Sequence, residues 1–268
     1  MSLPPPSDSS TCLITGASAG IGTELARQLA ERGYGVTLVA RRKDRLEGLA
    51  SELSDRHGVK ADTVACDLSS AAARGRMLAT VERRGRTVEV LVNNAGFGTA
   101  GRFRELDADR ELEMVRTNCE AVVHLCGTFV PDMARRGRGA VLNVASTAAF
   151  QPIPRQATYA ATKALVLSFT DALSAELRGT GVTVTSLCPG PVPTEFAAVA
   201  GIEVGEDLNI PGATMSPADT AAAGIEGLEK GRRVVIPGPL NRAGAMAGRL
   251  TPRFVALEVL RRFYPVGK

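Results

Sequence analysis

Hydrophobic positions in this chain alternate between two spacings. Short apolar runs such as Val36-Thr-Leu-Val-Ala40 are followed by longer stretches in which apolar residues recur every three or four positions. The first pattern suits a strand covered on both faces, the second an amphipathic helix. Strands are predicted at 11–15, 35–40, 59–65, 88–93, 140–145, 182–187 and 233–236. Helices are predicted at 21–31, 43–56, 70–84, 107–136, 156–177 and 217–230, with 239–264 also helical. Ser69 or Ser70 can cap the third helix, and Ser216 followed by Pro217 opens the sixth. Pro131 is expected to kink or break the long fourth helix.

Strands that alternate with helices predict an α/β fold, a mostly parallel sheet of seven strands with helices on both faces. Neither repeats nor a splitting linker interrupt the pattern. The expected organisation is a loose Pro- and Ser-rich arm at 1–10, one domain over 11–238, and a helical extension over 239–268 packed on the domain or on a partner.

Composition narrows the class. Hydrophobic residues make up 44% of 268, too many for a disordered chain. The net charge of +4 comes from scattered arginines, with no basic stripe interleaved with aromatics, which argues against nucleic acid as a partner. Five cysteines, an odd number without a C-x-x-C pair, point to a reducing, cytoplasmic compartment. The two histidines do not stand at metal-ligand spacing to them, so no metal is expected. The amino-terminal residues lack a signal pattern, and no apolar run reaches membrane-spanning length.

The first strand runs into Thr15-Gly-Ala-Ser-Ala-Gly-Ile-Gly22, a G-x-x-x-G-x-G turn that opens a helix. Gly16 permits a tight exit from the strand, Gly20 admits a close pyrophosphate, and Gly22 lets helix and sheet approach. The helix start then offers free N–H groups to phosphate. Ser18, Ala19 and Ile21 of the same loop are expected against the dinucleotide. Together with the alternation of strands and helices this predicts a doubly wound, Rossmann-type sheet. After the second strand, where an NAD site usually carries a carboxylate, stand Arg41 and Arg42. Their planar forks suit a 2′-phosphate and predict NADP(H).

Tyr159 and Lys163 lie four residues apart, on one face of the fifth helix. Chance places a Lys four residues after some Tyr in roughly one such chain in twenty. An ammonium near a phenol lowers its pKa and makes it a usable proton donor and acceptor. Ser146, after the fifth strand, can hold a substrate oxygen, and Asn118 can order a water chain to Lys163.

With TGASAGIG (15–22), CDLS (66–69), NNAG (93–96), Asn118, Ser146, YAATK (159–163) and PGPVPT (189–194) in this order, the chain resembles the short-chain dehydrogenase/reductase family in its single-domain branch, over roughly 11–237. The resemblance implies that Tyr159 exchanges a proton with the carbonyl or alcohol oxygen. It implies that Lys163 tunes Tyr159 and binds ribose, that Ser146 orients substrate, and that Asn118 holds the helix backbone and a relay water. Asp67 and Leu68 would contact adenine. Asn93, Asn94, Ala95 and Gly96 would border the cofactor, and Pro189, Gly190, Val192 and Thr194 would grip its nicotinamide end. Relatives that prefer NADP often carry a basic residue where Ala19 stands, so the NADP(H) expectation rests on Arg41 and Arg42.

The expected activity is hydride transfer between NADP(H) and the carbonyl or secondary alcohol of a hydrophobic small molecule, a ketone, a steroid-like carbonyl or a 3-oxoacyl compound. The alternative is a sensor that binds NADP without turnover. The segment 191–215 resembles the family's substrate lid. Phe196, Val199, Ile202, Val204, Leu208 and Ile210, with Phe97, Phe150 and Ile153, predict an apolar pocket. The fifth helix carries two apolar stripes (Ala160, Ala164, Ala172 and Val166, Phe169, Leu173, Leu177), of which one predicts a homodimer or homotetramer contact. The tail is basic and amphipathic and resembles a bacterial oxidoreductase branch of the DltE type. It could lie on a membrane surface, although packing on protein is the stronger expectation.

Overall fold

The computed structural model describes residues 3–201 and 212–263. Seven parallel strands form one sheet: β1 Ser10–Thr15, β2 Val36–Ala40, β3 Ala61–Ala65, β4 Thr87–Asn93, β5 Gly139–Val144, β6 Val182–Leu187 and β7 Val234–Val235. Their order is β3-β2-β1-β4-β5-β6-β7. The chain therefore reverses its winding beside β1, between β1 and β4, and leaves a crevice at the carboxyl ends of the strands.

Both faces of the sheet are covered, which explains the near-continuous apolar strands. On one face pack α1 (Gly20–Glu31), α2 (Lys43–His57) and α8 (Pro217–Glu229). On the other pack α3 (Ala71–Arg83), α5 (Ala121–Arg136) and α6 (Ala157–Glu176). Ser70 and Ser216 cap α3 and α8 as predicted, accepting from Ala73 N at 3.2 Å and Asp219 N at 3.0 Å. Each such cap is worth about 1 kcal/mol.

Three expectations are corrected. Residues 3–9 are not a loose arm: Leu3 is buried in the core, and Tyr34 donates from its hydroxyl to the Pro4 carbonyl at 2.8 Å. Pro131 does not interrupt α5; Gly127, whose carbonyl loses its helical partner there, lies exposed. The irregularity instead lies at 116–120, a single π-turn between α4 (Ala108–Val115) and α5, with Asn118 at its centre. On α6, Val166 and Leu177 are buried in its own core, and the outward face is Ala161, Leu165, Ser168 and Ala172.

The carboxy-terminal helices are α9 (Pro239–Leu250) and α10 (Arg253–Phe263). Asn241, Ala245 and Gly248 of α9 face the domain, whereas among the described side chains of α10 only Ala256 is buried. Between β6 and α8 the short helix α7 (Phe196–Ala200) begins the expected lid; Ile202, Val204, Leu208 and Ile210 lie outside the described residues.

Candidate active site

A cleft of about 800 Å³ opens at the carboxyl ends of the strands. The turn after β1 forms one end. Gly16 and Gly20 adopt φ of 68° and 58°. A Cβ on Gly20 would press on Thr194 Cγ2 at 2.8 Å, and one on Gly22 would overlap the Gly16 carbonyl. Gly22 thus stands one layer behind the lining, which includes Gly16, Ser18, Ala19, Gly20 and Ile21. These positions leave a bare backbone cradle that a side chain would fill, a shape that fits the diphosphate of a dinucleotide.

Asn94 ties that turn to β4. Its side-chain amide donates to the carbonyls of Thr15 (3.0 Å) and Gly16 (3.3 Å). Thr15 Oγ1 accepts from Asn94 N (3.0 Å) and Ala95 N (3.1 Å). In the sequence Thr15 has a place in the motif but no role of its own, because a strand-end Thr carries no local signal. Asn94, Ala95 and Gly96 line the cleft. Asn93 does not; it points into the sheet's far side and donates to Asn143 Oδ1 at 2.9 Å. The alternation of side chains along a strand separates the two asparagines.

Arg41, Arg42, Asp67 and Leu68 line the end beyond the glycines. Arg42 donates to Ser18 Oγ from Nε (3.2 Å) and Nη2 (3.1 Å). Arg41 pairs with Glu113 of α4 at 3.4 Å. Asp67 accepts from the backbone and hydroxyl of Ser69 (3.0 and 2.8 Å), which holds its carboxylate in a turn.

At the other end, the cleft lining brings together Ser146, Tyr159, Lys163, Pro189, Gly190, Val192 and Thr194. Lys163 is 5% exposed and donates from Nζ to the Val144 carbonyl at 2.8 Å. Its ammonium stands 5.9 Å from the Tyr159 ring centroid. Burial pushes Lys163 down to about 8. Burial pushes Tyr159 up to about 12, against a lowering hydrogen bond from Ser146. Burial thus outweighs whatever lowers the phenol, and Tyr159 rests above its ordinary value. At neutral pH Tyr159 holds its proton and Lys163 its charge.

Asn118 lies behind this group. Its Oδ1 accepts from Phe97 N at 3.1 Å, and its Nδ2 donates to Phe97 O at 2.9 Å and to Thr162 Oγ1 at 3.1 Å. Thr162 in turn donates to the Tyr159 carbonyl at 2.7 Å. A Cβ on Gly96 would lie 2.9 Å from Asn118 Oδ1 and 3.4 Å from Lys163 Nζ. Gly96 thus packs against both Asn118 and Lys163, and a side chain there would crowd the two.

Sequence reasoning missed several lining residues. Leu240, Asn241, Gly244 and Ala245 of α9 also line the cleft, so this helix is part of the candidate site. Asn241 donates to the carbonyls of Ala213 (2.8 Å) and Pro237 (2.9 Å). Phe196 stacks at a tilt on Tyr159, with centroids 5.3 Å apart. Phe97 and Ile153 line the cleft as expected. Among the described residues no group of three or more metal-ligating side chains converges, and no helix is long and apolar enough to cross a membrane. All five cysteines are free and buried.

Sheet order, glycine cradle and crevice define a doubly wound dinucleotide-binding protein. Residues 10–203 match the family model described as short chain dehydrogenase. The chain belongs to the short-chain dehydrogenase family. It is 40% identical over 193 residues to a putative ketoacyl reductase of Streptomyces coelicolor, covering 71% of this chain and 74% of that one. A short-chain dehydrogenase from Sphingobium yanoikuyae, solved in complex with NADPH, superposes with a TM-score of 0.80 at 32% identity, over 97% of each chain. An actinorhodin polyketide ketoreductase, solved with NADPH, superposes with a TM-score of 0.77 at 31% identity, over 87% of this chain and 97% of that one.

Proposed function

We propose that the protein is an NADP(H)-dependent carbonyl reductase or alcohol dehydrogenase with Tyr159 as its general acid and base. The observation that carries this reading is the grouping of Tyr159, Ser146 and the buried Lys163 around one end of a glycine-cradled cleft. The NADPH complexes of the two solved relatives support the choice of cofactor. So does Arg42, whose guanidinium stands at Ser18 where a 2′-phosphate would be read.

NADP(H) supplies or accepts the hydride. The chain's own residues supply the proton and the geometry. In reduction, the Tyr159 hydroxyl gives its proton to the carbonyl oxygen as hydride reaches the carbon. Ser146 donates a hydrogen bond to the same oxygen, where negative charge develops. Lys163, charged below about 8, stabilises the phenolate left behind. Its anchor on Val144 and the Gly96–Asn118 wall hold the ammonium in place. The reverse path needs the phenolate to take the alcohol proton. A positioned acid of this kind contributes roughly 10²–10⁴-fold.

The apolar substrate end, with Phe97, Ile153, Phe196, Val199 and Leu240, favours a hydrophobic ketone or a 3-oxoacyl compound. The ketoacyl and polyketide reductases among the relatives agree with this class. The test is NADPH oxidation with a panel of bulky ketones, diketones and acetoacetyl thioesters. Tight NADPH binding with no turnover across the panel would favour the sensor. The outward face of α6 and the exposed Leu112, Val115 and Val123 on α4 and α5 support a homo-oligomer. Sedimentation velocity tests this, and a monomer at micromolar concentration would exclude it.

A further inference from the structure

We propose that Glu195 is a specificity-determining residue for the cofactor: its carboxylate occupies Arg42 in place of a 2′-phosphate, so that NADP(H) must displace it and NAD(H) need not. The proposal rests on Arg42 reading the 2′-phosphate.

Glu195 follows Thr194, which lies against Gly20, and precedes Phe196, which packs on Tyr159. It therefore stands on the lip of the cleft opposite the end of β2, 153 residues further along the chain than Arg42. From there it reaches across. Arg42 donates from Nη1 to Glu195 Oε2 at 2.6 Å, and Arg45 donates from Nη1 to Glu195 Oε1 at 2.5 Å. The other two guanidinium nitrogens of Arg42 are engaged with Ser18, through its hydroxyl (3.2 and 3.1 Å) and its carbonyl (3.4 Å). Every nitrogen of Arg42 is thus committed, and one of its three partners is a carboxylate.

A carboxylate is an unusual neighbour for a site shaped to hold a phosphate-bearing ligand, because like charges repel. Its presence is explained by what it pairs with. The hydrogen bonds from Arg45 and Arg42 hold the Glu195 carboxyl below the usual carboxylate range, so it is ionised at any pH at which the protein works. A phosphate dianion offers Arg42 more charge and the same fork geometry, and it outcompetes the carboxylate. Ser18 can turn its hydroxyl to donate to the same phosphate. Glu195 keeps Arg45 when Arg42 leaves, so the exchange abandons one exposed pair, and exposed pairs are individually weak. The contribution to affinity is correspondingly modest and falls on the phosphate-bearing cofactor alone.

The experiment is calorimetric titration of the full-length protein with NADP⁺ and with NAD⁺, in wild type, Glu195→Gln, Arg42→Ala and the double variant. Glu195→Gln should tighten NADP⁺ about two- to five-fold and leave NAD⁺ within two-fold. The gain should shrink as salt rises from 50 to 500 mM, because both sides of the contest are screened. It should vanish in the Arg42→Ala background. An unchanged or weakened NADP⁺ affinity in Glu195→Gln overturns the proposal. Equal tightening of both cofactors also overturns it, since that would be general relief of repulsion. If Arg42→Ala discriminates between the cofactors as wild type does, the reading of Arg42 fails, and the proposal with it. If Arg42→Ala loses discrimination while Glu195→Gln matches wild type, only the proposal fails.

Discussion

Asn118 pairs with both backbone groups of Phe97, accepting from its N–H at 3.1 Å and donating to its carbonyl at 2.9 Å. The side chain thereby acts as a strand edge for a segment that has no strand beside it. The π-turn at 116–120 makes this reach feasible, and such turns recur where a helix must present a working residue. Because Asn118 also holds Thr162, which holds the Tyr159 carbonyl, the wall of the cleft and the helix bearing Tyr159 are joined through one amide.

Asn118→Ala should therefore cost both stability and turnover. It strands the Phe97 N–H and C=O in a buried setting. Each unsatisfied group costs about 1–3 kcal/mol, and for a chain of this size each kcal/mol lowers Tm by roughly 2–4 °C. Thermal unfolding checks this, and a Tm within 1 °C of wild type would contradict the assigned role.

Gly96→Ala places a methyl 2.9 Å from Asn118 Oδ1 and 3.4 Å from Lys163 Nζ. Something must shift by several tenths of an ångström, and of the two neighbours Lys163 belongs to the proposed acid-base group while Asn118 backs it. We expect kcat to fall at least about ten-fold, since small misplacements of catalytic groups are costly. NADPH affinity should change much less, a split that steady-state kinetics and cofactor titration would resolve.

Tyr159→Phe should remove turnover by roughly 10²–10⁴-fold while NADPH still binds. Fluorescence titration with NADPH, run beside the activity assay, separates the two. Activity retained within a few-fold would sink the role given to Tyr159.

The pH dependence follows from burial. Lys163 sits at about 8, below its ordinary value, and so is charged below that pH and neutral above it. Tyr159, at about 12, stays protonated across the whole working range. The rate of reduction should thus hold at neutral pH and fall as pH rises through 8. Oxidation draws on the minor form with a phenolate beside charged Lys163, whose share grows as the pair loses its first proton near 8, so it should climb over the same interval. Profiles from pH 6 to 10 in both directions check this; parallel slopes would contradict it.

Gly244 of α9 lines the cleft, and a Cβ built there meets nothing within 4 Å. Gly244→Leu should accordingly fold, extend into the cleft, and raise KM for bulky ketones at least about ten-fold, leaving acetone-sized substrates nearly unaffected. Equal effects on both sizes would show that α9 does not border the substrate.

Much of this was legible in the chain itself. The period-two and period-3.6 patterns located all seven strands within two residues at most ends, because a parallel sheet buried on both faces writes itself as short apolar runs. The glycine turn, the Tyr159–Lys163 pair and Ser146 were legible for the same local reason: each is a spacing within one element or one turn. What local patterns could not carry was the continuity of the helix through Pro131, the anchoring of Leu3 and Pro4, and the burial that raises Tyr159 and lowers Lys163. Those depend on what lies next to each group.

The sequence by itself determined the strand and helix alternation, the glycine cradle and the residue types of the proposed acid-base group, since these follow from backbone conformation and side-chain chemistry over a few residues. Only the tertiary structure decided that Glu195 reaches Arg42 across the cleft, that α9 lines that cleft, and that Gly96 packs against both Asn118 and Lys163. Each of these joins positions far apart in the chain, 153 residues for Arg42 and Glu195, and burial, which sets Lys163 and Tyr159, belongs to the packed whole and to no segment of it.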